Sequence, residues 1–324
     1  MNRIKLRFVD YSSGYVPEEQ LIYKVLSRHF EIDQVSDPDF IISCGLGVEH
    51  TKYDRCVKIV WIGENVVPDF NWFDYAIGFD HMDFGDRYLR VPLCAFYESY
   101  RRIEEPLDRT DEQLLNRDFC SFVASNPQRD PIVFDFVREL SKYKKVSCGG
   151  ACLNNVGGRV KDKMSFCAAH KFNVAFENSS SPGYTTEKIM QPLVAGSVPI
   201  YYGNPMVEAD FNPGCMVRVG GWDDIPRVID EIVALDKDDA AYLSKCRAPR
   251  LAEDRLAHER RLEAFLLGIV ERGLACGLSA AYRRNFYGCQ SSHRRCLGPV
   301  LRTANRLREA AWFGLNLLHG RIAR

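Results

Sequence analysis

Glu187 and Lys188 stand side by side within residues 171–205, KFNVAFENSSSPGYTTEKIMQPLVAGSVPIYYGNP. The stretch reads as strand, polar loop, helix, small-residue turn and strand. Thr185 or Thr186 suits the N-cap, which puts the acid and the base in the first helical turn. A helix that starts beyond the carboxyl end of a strand offers free N–H groups to an anion, and Lys188 adds a full positive charge there. Glu187 has nothing to give a phosphate. Its carboxylate accepts hydrogen bonds, so the hydroxyls of a ribose or another sugar are its natural partners. Tyr184 and Asn178 add polar groups on the same loop. The chemistry is that of a phosphorylated sugar or a nucleotide, although the same spelling also suits a capped surface helix whose acid and base are solvated.

The elements that must position this loop belong to an alternating pattern. Residues 3–10 alternate Ile4, Leu6 and Phe8 with Arg3, Lys5 and Arg7, as a strand does. Residues 18–30 have helical spacing, and 40–44 and 57–61 are apolar runs. Residues 86–116 are charged and rich in turn formers, and read as a connection between halves. The pattern then restarts, with strands at 119–124, 145–148, 172–176 and 198–202 and helices at 130–144, 186–195, 223–234 and 238–270. Strands that alternate with helices make a largely parallel sheet. The expected fold is therefore α/β, with two Rossmann-like doubly wound domains and ligands at the carboxyl ends of their strands. The expected division is 1–115, 116–275 and a basic tail, 276–324.

Length and composition agree. A chain of 324 residues, 46% hydrophobic and 27% charged, is folded and long enough for two domains. Lys+Arg and Asp+Glu both number 43, which excludes a surface coated throughout for nucleic acid. The balance is local. Residues 281–324 hold nine Arg, no Lys and one acid, Glu309, a net of +8, so the first 280 residues carry −8. No window approaches the roughly 18 apolar residues of a membrane span. The N-terminus has no export-signal pattern, and the twelve irregularly spaced Cys suit free thiols in a reducing cytoplasm.

The pattern FxxAFENSxxxxYxTEK followed by GSVPIYYG resembles the signature of the α-1,3-fucosyltransferases, the family that includes the bacterial Lewis-antigen enzymes. Trp61-Ile-Gly-Glu-Asn65, Phe70 to Phe79 and Asp86 to Pro92 resemble the N-terminal domain of those enzymes. Ser121 to Pro127 and Phe211-Asn-Pro213 resemble parts of the second. The resemblance spans roughly residues 57–215. It implies a GT-B fold with an N-terminal acceptor domain and a C-terminal GDP-fucose domain. It also implies an inverting transfer of L-fucose from GDP-β-L-fucose to the 3-OH of GlcNAc in N-acetyllactosamine-type (Galβ1-4GlcNAc) glycans.

Residue by residue, the resemblance makes Glu64 the general base. It makes Lys188 the phosphate lysine, Glu187 the acid on donor hydroxyls, and Tyr184 and Asn178 the remaining loop contacts. In one respect the chain departs from the pattern. The family's diphosphate arginine falls near Val133 here, flanked by Arg129 and Arg138, and Arg129 could serve after a one-residue shift.

No metal or other cofactor is expected. Asp37-Pro-Asp39 and Asp236-Lys-Asp238 have the spelling of metal-binding acids but fall outside the expected donor loop. Cys276, Cys289, His293 and Cys296 match no firm zinc spacing. In the tail, Val300, Ala304, Leu307, Ala311, Leu315 and Leu318 share a helical face flanked by Trp312 and Phe313. Such a basic amphipathic helix suits an anionic membrane surface, and the family's bacterial members often end this way. The expected setting is cytoplasmic, peripheral on the inner membrane. Alternatives are an α-1,4 or other-acceptor fucosyltransferase, an inactive glycan-binding protein of the same fold, and a nucleic-acid binder recruited by the Arg-rich tail. The intact Glu64, Glu187 and Lys188 weigh against the inactive binding protein and the Val133 departure weighs slightly for it; the nucleic-acid reading predicts salt-sensitive DNA binding without GDP affinity, and no nucleic-acid partner is expected.

Overall fold

The structure, a computed structural model, describes residues 2–53, 55–126, 130–276, 296–308 and 310. Contacts divide the chain into two compact units. Of the described residues, those within 2–78, 82–91 and from 259 onward form one; those within 79–81 and 92–258 form the other. These boundaries differ from the compositional ones at 115/116 and 275/276.

The first unit holds β1 (Asn2–Val9), α1 (Leu21–Leu26), β2 (Phe30–Gln34), β3 (Phe40–Ser43), β4 (Val57–Trp61), β5 (Tyr75–Gly78) and β6 (Tyr88–Arg90). Its sheet has the order β2-β1-β3-β4-β5-β6, and every pair is parallel. All four residues of β3 are buried, as expected of a parallel strand covered on both faces. Two expectations are corrected here. The helix placed over 18–30 is confined to 21–26, because Phe30 and Ile32 alternate with Glu31 and Asp33 and pair with Asn2 and Ile4 of β1. The connection placed over 86–116 begins with β6, whose residues pair with β5.

The second unit holds α2 (Asp111–Leu115), β7 (Asp118–Phe122), α3 (Ile132–Leu140), β8 (Val146–Cys148), α4 (Lys163–Ala168), β9 (His170–Phe176), α5 (Glu187–Ala195), β10 (Val198–Tyr202), β11 (Val217–Arg218), α6 (Ile225–Lys237) and α7 (Asp239–Arg247). Its sheet has the order β11-β10-β9-β7-β8, again parallel throughout. Alternate residues of the central strands feed two separate cores. Phe172, Val174 and Phe176 join Phe122, Phe136 and Ile200 on one face. Ala175 and Tyr201 join Ile189, Met190 and Phe211 on the other. That is the period of two that buries a sheet from both sides.

The helix expected over 238–270 is two helices, α7 and α8 (Arg255–Cys276). Ala248 is extended, at φ −59° and ψ 146°, because it precedes Pro249. α8 enters the first unit at residue 259. There Leu262, Leu266, Ile269 and Val270 are buried, Tyr75 meets the Phe265 ring edge-on, and Arg28 and His29 pair with Glu259 and Glu263. Of the tail, residues 296–308 are helical. Arg302 donates to the backbone oxygen and the hydroxyl of Thr51, while Val300 and Leu307 are exposed. Ala311, Trp312, Phe313, Leu315 and Leu318 lie outside the described residues, as do Cys289 and His293. No helix among the described residues is long and apolar enough to cross a membrane.

Candidate functional site

In the second unit the site grows from the carboxyl end of β9. The strand's ladder runs one step past Phe176, where the Glu177 N–H donates to the Tyr202 carbonyl at 2.8 Å. The Glu177 side chain is wholly buried. Its carboxylate accepts from the Thr186 N–H at 2.8 Å, from the Thr186 hydroxyl at 2.8 Å and from the Lys188 ammonium at 2.9 Å. Lys188 also donates to the Thr186 hydroxyl at 3.0 Å. Thr186 is the N-cap of α5, so one buried acid ties together the strand end, the cap and the lysine. Burial pushes the Glu177 carboxyl up, and Lys188 and the Thr186 donors oppose that rise.

Glu187 lies beside this cluster, 3.7 Å from the Lys188 ammonium, with its side chain about a third exposed. Burial alone would raise its carboxyl. Lys188 and Lys163 outweigh burial and hold it below the ordinary value. The Lys188 side chain as a whole is 17% exposed, and its ammonium is anchored by Glu177.

The loop between β9 and α5 is held by Asn204, just past β10. Asn204 Oδ1 accepts from the Gly183 and Met206 N–H groups, each at 2.8 Å, and its amide donates to the Thr185 hydroxyl at 3.0 Å. Gly183 has φ +82°, and a Cβ there would lie 2.2 Å from the Phe79 carbonyl oxygen, so the close approach and the left-handed backbone both require glycine. α5 ends in the matching way at Gly196, with φ +74°.

The sequence-derived residues are therefore distributed unevenly. Lys188 and Glu187 come together at the start of α5. Tyr184, on the same loop, is buried, its ring 5.3 Å from that of Phe79. Asn178 follows Glu177; its backbone oxygen accepts from the Asp130 N–H, and its buried Oδ1 accepts no hydrogen bond among the described residues. Arg129 lies outside the described residues. Val133 is a core residue of α3, and Arg138 is an exposed residue of the same helix, paired with Asp135. Glu64 stands in the first unit, in the turn after β4. It is exposed, and its carboxylate makes no hydrogen bond or ion pair among the described residues. Of the two Asp-x-Asp strings, the second has structural employment: Asp236 is bonded by Lys144 and Tyr143, and Asp238 caps α7. Asp37 and Asp39 of the first are exposed, just before β3.

Sequence reasoning missed Glu177, Asn204 and Lys163. Glu177 and Asn204 are spelled within the segment that drew attention, but their roles depend on contacts across the β9–α5 loop. Lys163 opens α4, for which no periodic signal exists.

The first unit carries its own buried polar cluster at the carboxyl end of β1. Asp10 accepts from the Ser43 hydroxyl at 2.6 Å, from His50 Nδ1 at 2.8 Å and from the Glu49 N–H at 2.5 Å. Serine and histidine both bond to the acid and not to each other. The arrangement is a latch between loops, without an activated nucleophile. Burial would raise the Asp10 carboxyl, but His50 and the other donors hold it below the usual range.

The sequence profile described as the α-(1,3)-fucosyltransferase FucT N-terminal domain matches residues 6–97, and that of the glycosyltransferase family 10 (fucosyltransferase) C-terminal region matches residues 116–247. The chain belongs to the bacterial α-1,3-fucosyltransferase family. The family's α-(1,3)-fucosyltransferase FucT of Helicobacter pylori is 34% identical over 266 residues, covering 70% of this chain and 55% of that protein. The GDP-fucose protein O-fucosyltransferase 3 of Bos taurus is 35% identical over 193 residues, 54% of this chain and 39% of that protein. The chain thus spans about half the length, or less, of these curated relatives. A crystal structure of an α1,3-fucosyltransferase with GDP-fucose is similar at a TM-score of 0.70 and 28% identity, over 83% of this chain and 91% of that one. A second, with GDP, has a TM-score of 0.71 and 29% identity over the same shares. The two parallel-sheet units are those of the family's GT-B class.

Proposed function

We propose that this chain is a GDP-fucose-dependent fucosyltransferase. In this reading it moves L-fucose from GDP-β-L-fucose to the 3-OH of GlcNAc in N-acetyllactosamine-type glycans, with inversion. The observation that carries the reading is the Lys188–Glu187 pair, held at the start of α5 by Glu177 and Thr186 in the unit whose sequence matches the family 10 profile.

The chemistry follows from these groups. The acceptor hydroxyl oxygen attacks the anomeric carbon of fucose as the bond from that carbon to the β-phosphate oxygen breaks. GDP leaves with the electron pair, and the hydroxyl proton passes to Glu64. A single in-line displacement inverts the centre and needs one base. An exposed carboxylate with no partner among the described residues is free to act as that base. Negative charge grows on the departing diphosphate, where a fixed ammonium such as that of Lys188 favours the transition state more than the ground state. Glu187, held ionised by its lysine neighbours, accepts from donor hydroxyls. A non-glycan acceptor is the second reading, and the name of the bovine relative favours it.

The test is GDP release from GDP-fucose with and without N-acetyllactosamine, with GDP-mannose as control donor and product mass in parallel. Acceptor-dependent release, one added deoxyhexose and an α-anomeric product are expected. Glu64→Gln should lower transfer by about 10²-fold or more and leave GDP affinity unchanged. GDP-fucose binding without transfer to any of a panel of glycans and peptides would refute the reading.

A further inference from the structure

α4 and α5 pack against each other, and both run back from the carboxyl edge of the second sheet. Each opens with a lysine: Lys163 is the first residue of α4, and Lys188 the second of α5. Lys188 is already committed, with Glu177 at 2.9 Å and Glu187 at 3.7 Å. With both acids ionised, these three groups sum to −1. A nucleoside diphosphate sugar carries one negative charge on each phosphate, so this trio alone would repel it. A second cation is required.

Resting on the donor-site reading above, we propose that Lys163 is that cation, a diphosphate-binding residue that works beside Lys188. Lys163 is half-buried and close enough to lower the Glu187 carboxyl, while burial pushes its own ammonium down against the opposing pull of Cys167 and Glu187. Among the described residues, no carboxylate lies within 4.0 Å of that ammonium and no acceptor bonds to it. Three donors on one charged group are therefore unspent. A partly desolvated lysine whose ammonium makes no hydrogen bond among the described residues, on a helix packed against the one that carries Lys188, suits an anion that spans both. With Lys163 included, the fixed charge rises from −1 to 0 and the diphosphate meets two ammonium groups.

The test measures GDP and GMP affinity of the full chain by calorimetry for wild type, Lys163→Ala and Lys163→Arg, with thermal melts of each unliganded protein. Lys163→Ala should weaken GDP at least tenfold and GMP less than threefold. Lys163→Arg should stay within threefold of wild type for both. The unliganded melting temperatures should lie within a few degrees of one another, since the ammonium makes no hydrogen bond or close ion pair among the described residues. A GDP affinity for Lys163→Ala within twofold of wild type would overturn the assignment and leave the donor site standing. Equal weakening of GDP and GMP would also overturn it, by showing an effect that does not depend on the second phosphate. A folded wild type that binds no GDP would remove the donor site and this inference together.

Discussion

Replacing Lys188 by Ala should lower stability as well as transfer. The variant removes the proposed phosphate cation, but it also strips the partner from Glu177, whose side chain has no exposure to solvent. Removing one member of a buried ion pair costs about 3–5 kcal/mol, because the other charge stays buried. Two Thr186 donors remain at 2.8 Å, so the lower end applies, about 3 kcal/mol at neutral pH. For a unit of this size that lowers the melting temperature by about 6–12 °C. The sign with pH is fixed. Burial already raises the Glu177 carboxyl in the fold, and loss of Lys188 raises it further. A group raised in this way contributes stability that is complete below its unfolded value and lost as pH rises through the folded one. The deficit of Lys188→Ala should therefore be small in mild acid and grow by about 1.4 kcal/mol per pH unit until the carboxyl is fully ionised. Glu177→Gln in the Lys188→Ala background should restore stability at neutral pH without restoring transfer. The assay is urea denaturation at several pH values, with GDP release in parallel. If Lys188→Ala is as stable as wild type at neutral and alkaline pH, or if the double variant is no more stable than the single, the buried-pair account is wrong.

Two other perturbations probe the frame around the site. Gly183→Ala puts a methyl 2.2 Å from the Phe79 oxygen at a positive φ, so the β9–α5 loop must move; GDP affinity should fall by tenfold or more, read by calorimetry, while the far-ultraviolet circular dichroism stays native. Asp10→Ala leaves Ser43, His50 and the Glu49 N–H without their shared acceptor and should cost about 3 kcal/mol in denaturant titrations. Because the Asp10 carboxyl is held low, its contribution is present above the unfolded value and lost as pH falls through the folded one, so wild type and variant should converge in acid.

The part of the fold that was legible from sequence is the part where local pattern and tertiary role coincide. β9, the capped start of α5, and β10 with its closing turn are continuous in sequence and in space, so spelling alone located Lys188 and Glu187. β5 and β6 were harder to find. Tyr75–Gly78 is short and contains Ala and Gly, poor strand formers, and it is a strand because its neighbours supply the ladder. The break between α7 and α8 is spelled by Pro249 but masked by helical periodicity on both sides of it. Glu177 illustrates the deeper limit. Sequence displays an acid before Asn178, but only packing shows that the acid is buried and that its partner is the lysine eleven residues on. Lys163 matters solely through the packing of α4 on α5, which no local pattern encodes.

The division of the chain has a consequence for the order in which the protein can be made. Residues 92–258 are contiguous, so the second unit has nearly all it needs once α7 has left the ribosome. The first unit does not, although most of it is synthesised earlier. α8 supplies Leu262, Leu266, Ile269 and Val270 to its interior, and Gly273 sits against Phe40 and Val57. Until α8 emerges, the nascent sheet that carries Glu64 keeps an apolar face uncovered while an entire second unit is translated. Such an interval favours aggregation or chaperone capture. The half made first is thus the half finished last, and a released chain truncated after residue 258 should yield a well-formed second unit tethered to a sheet unable to complete its fold.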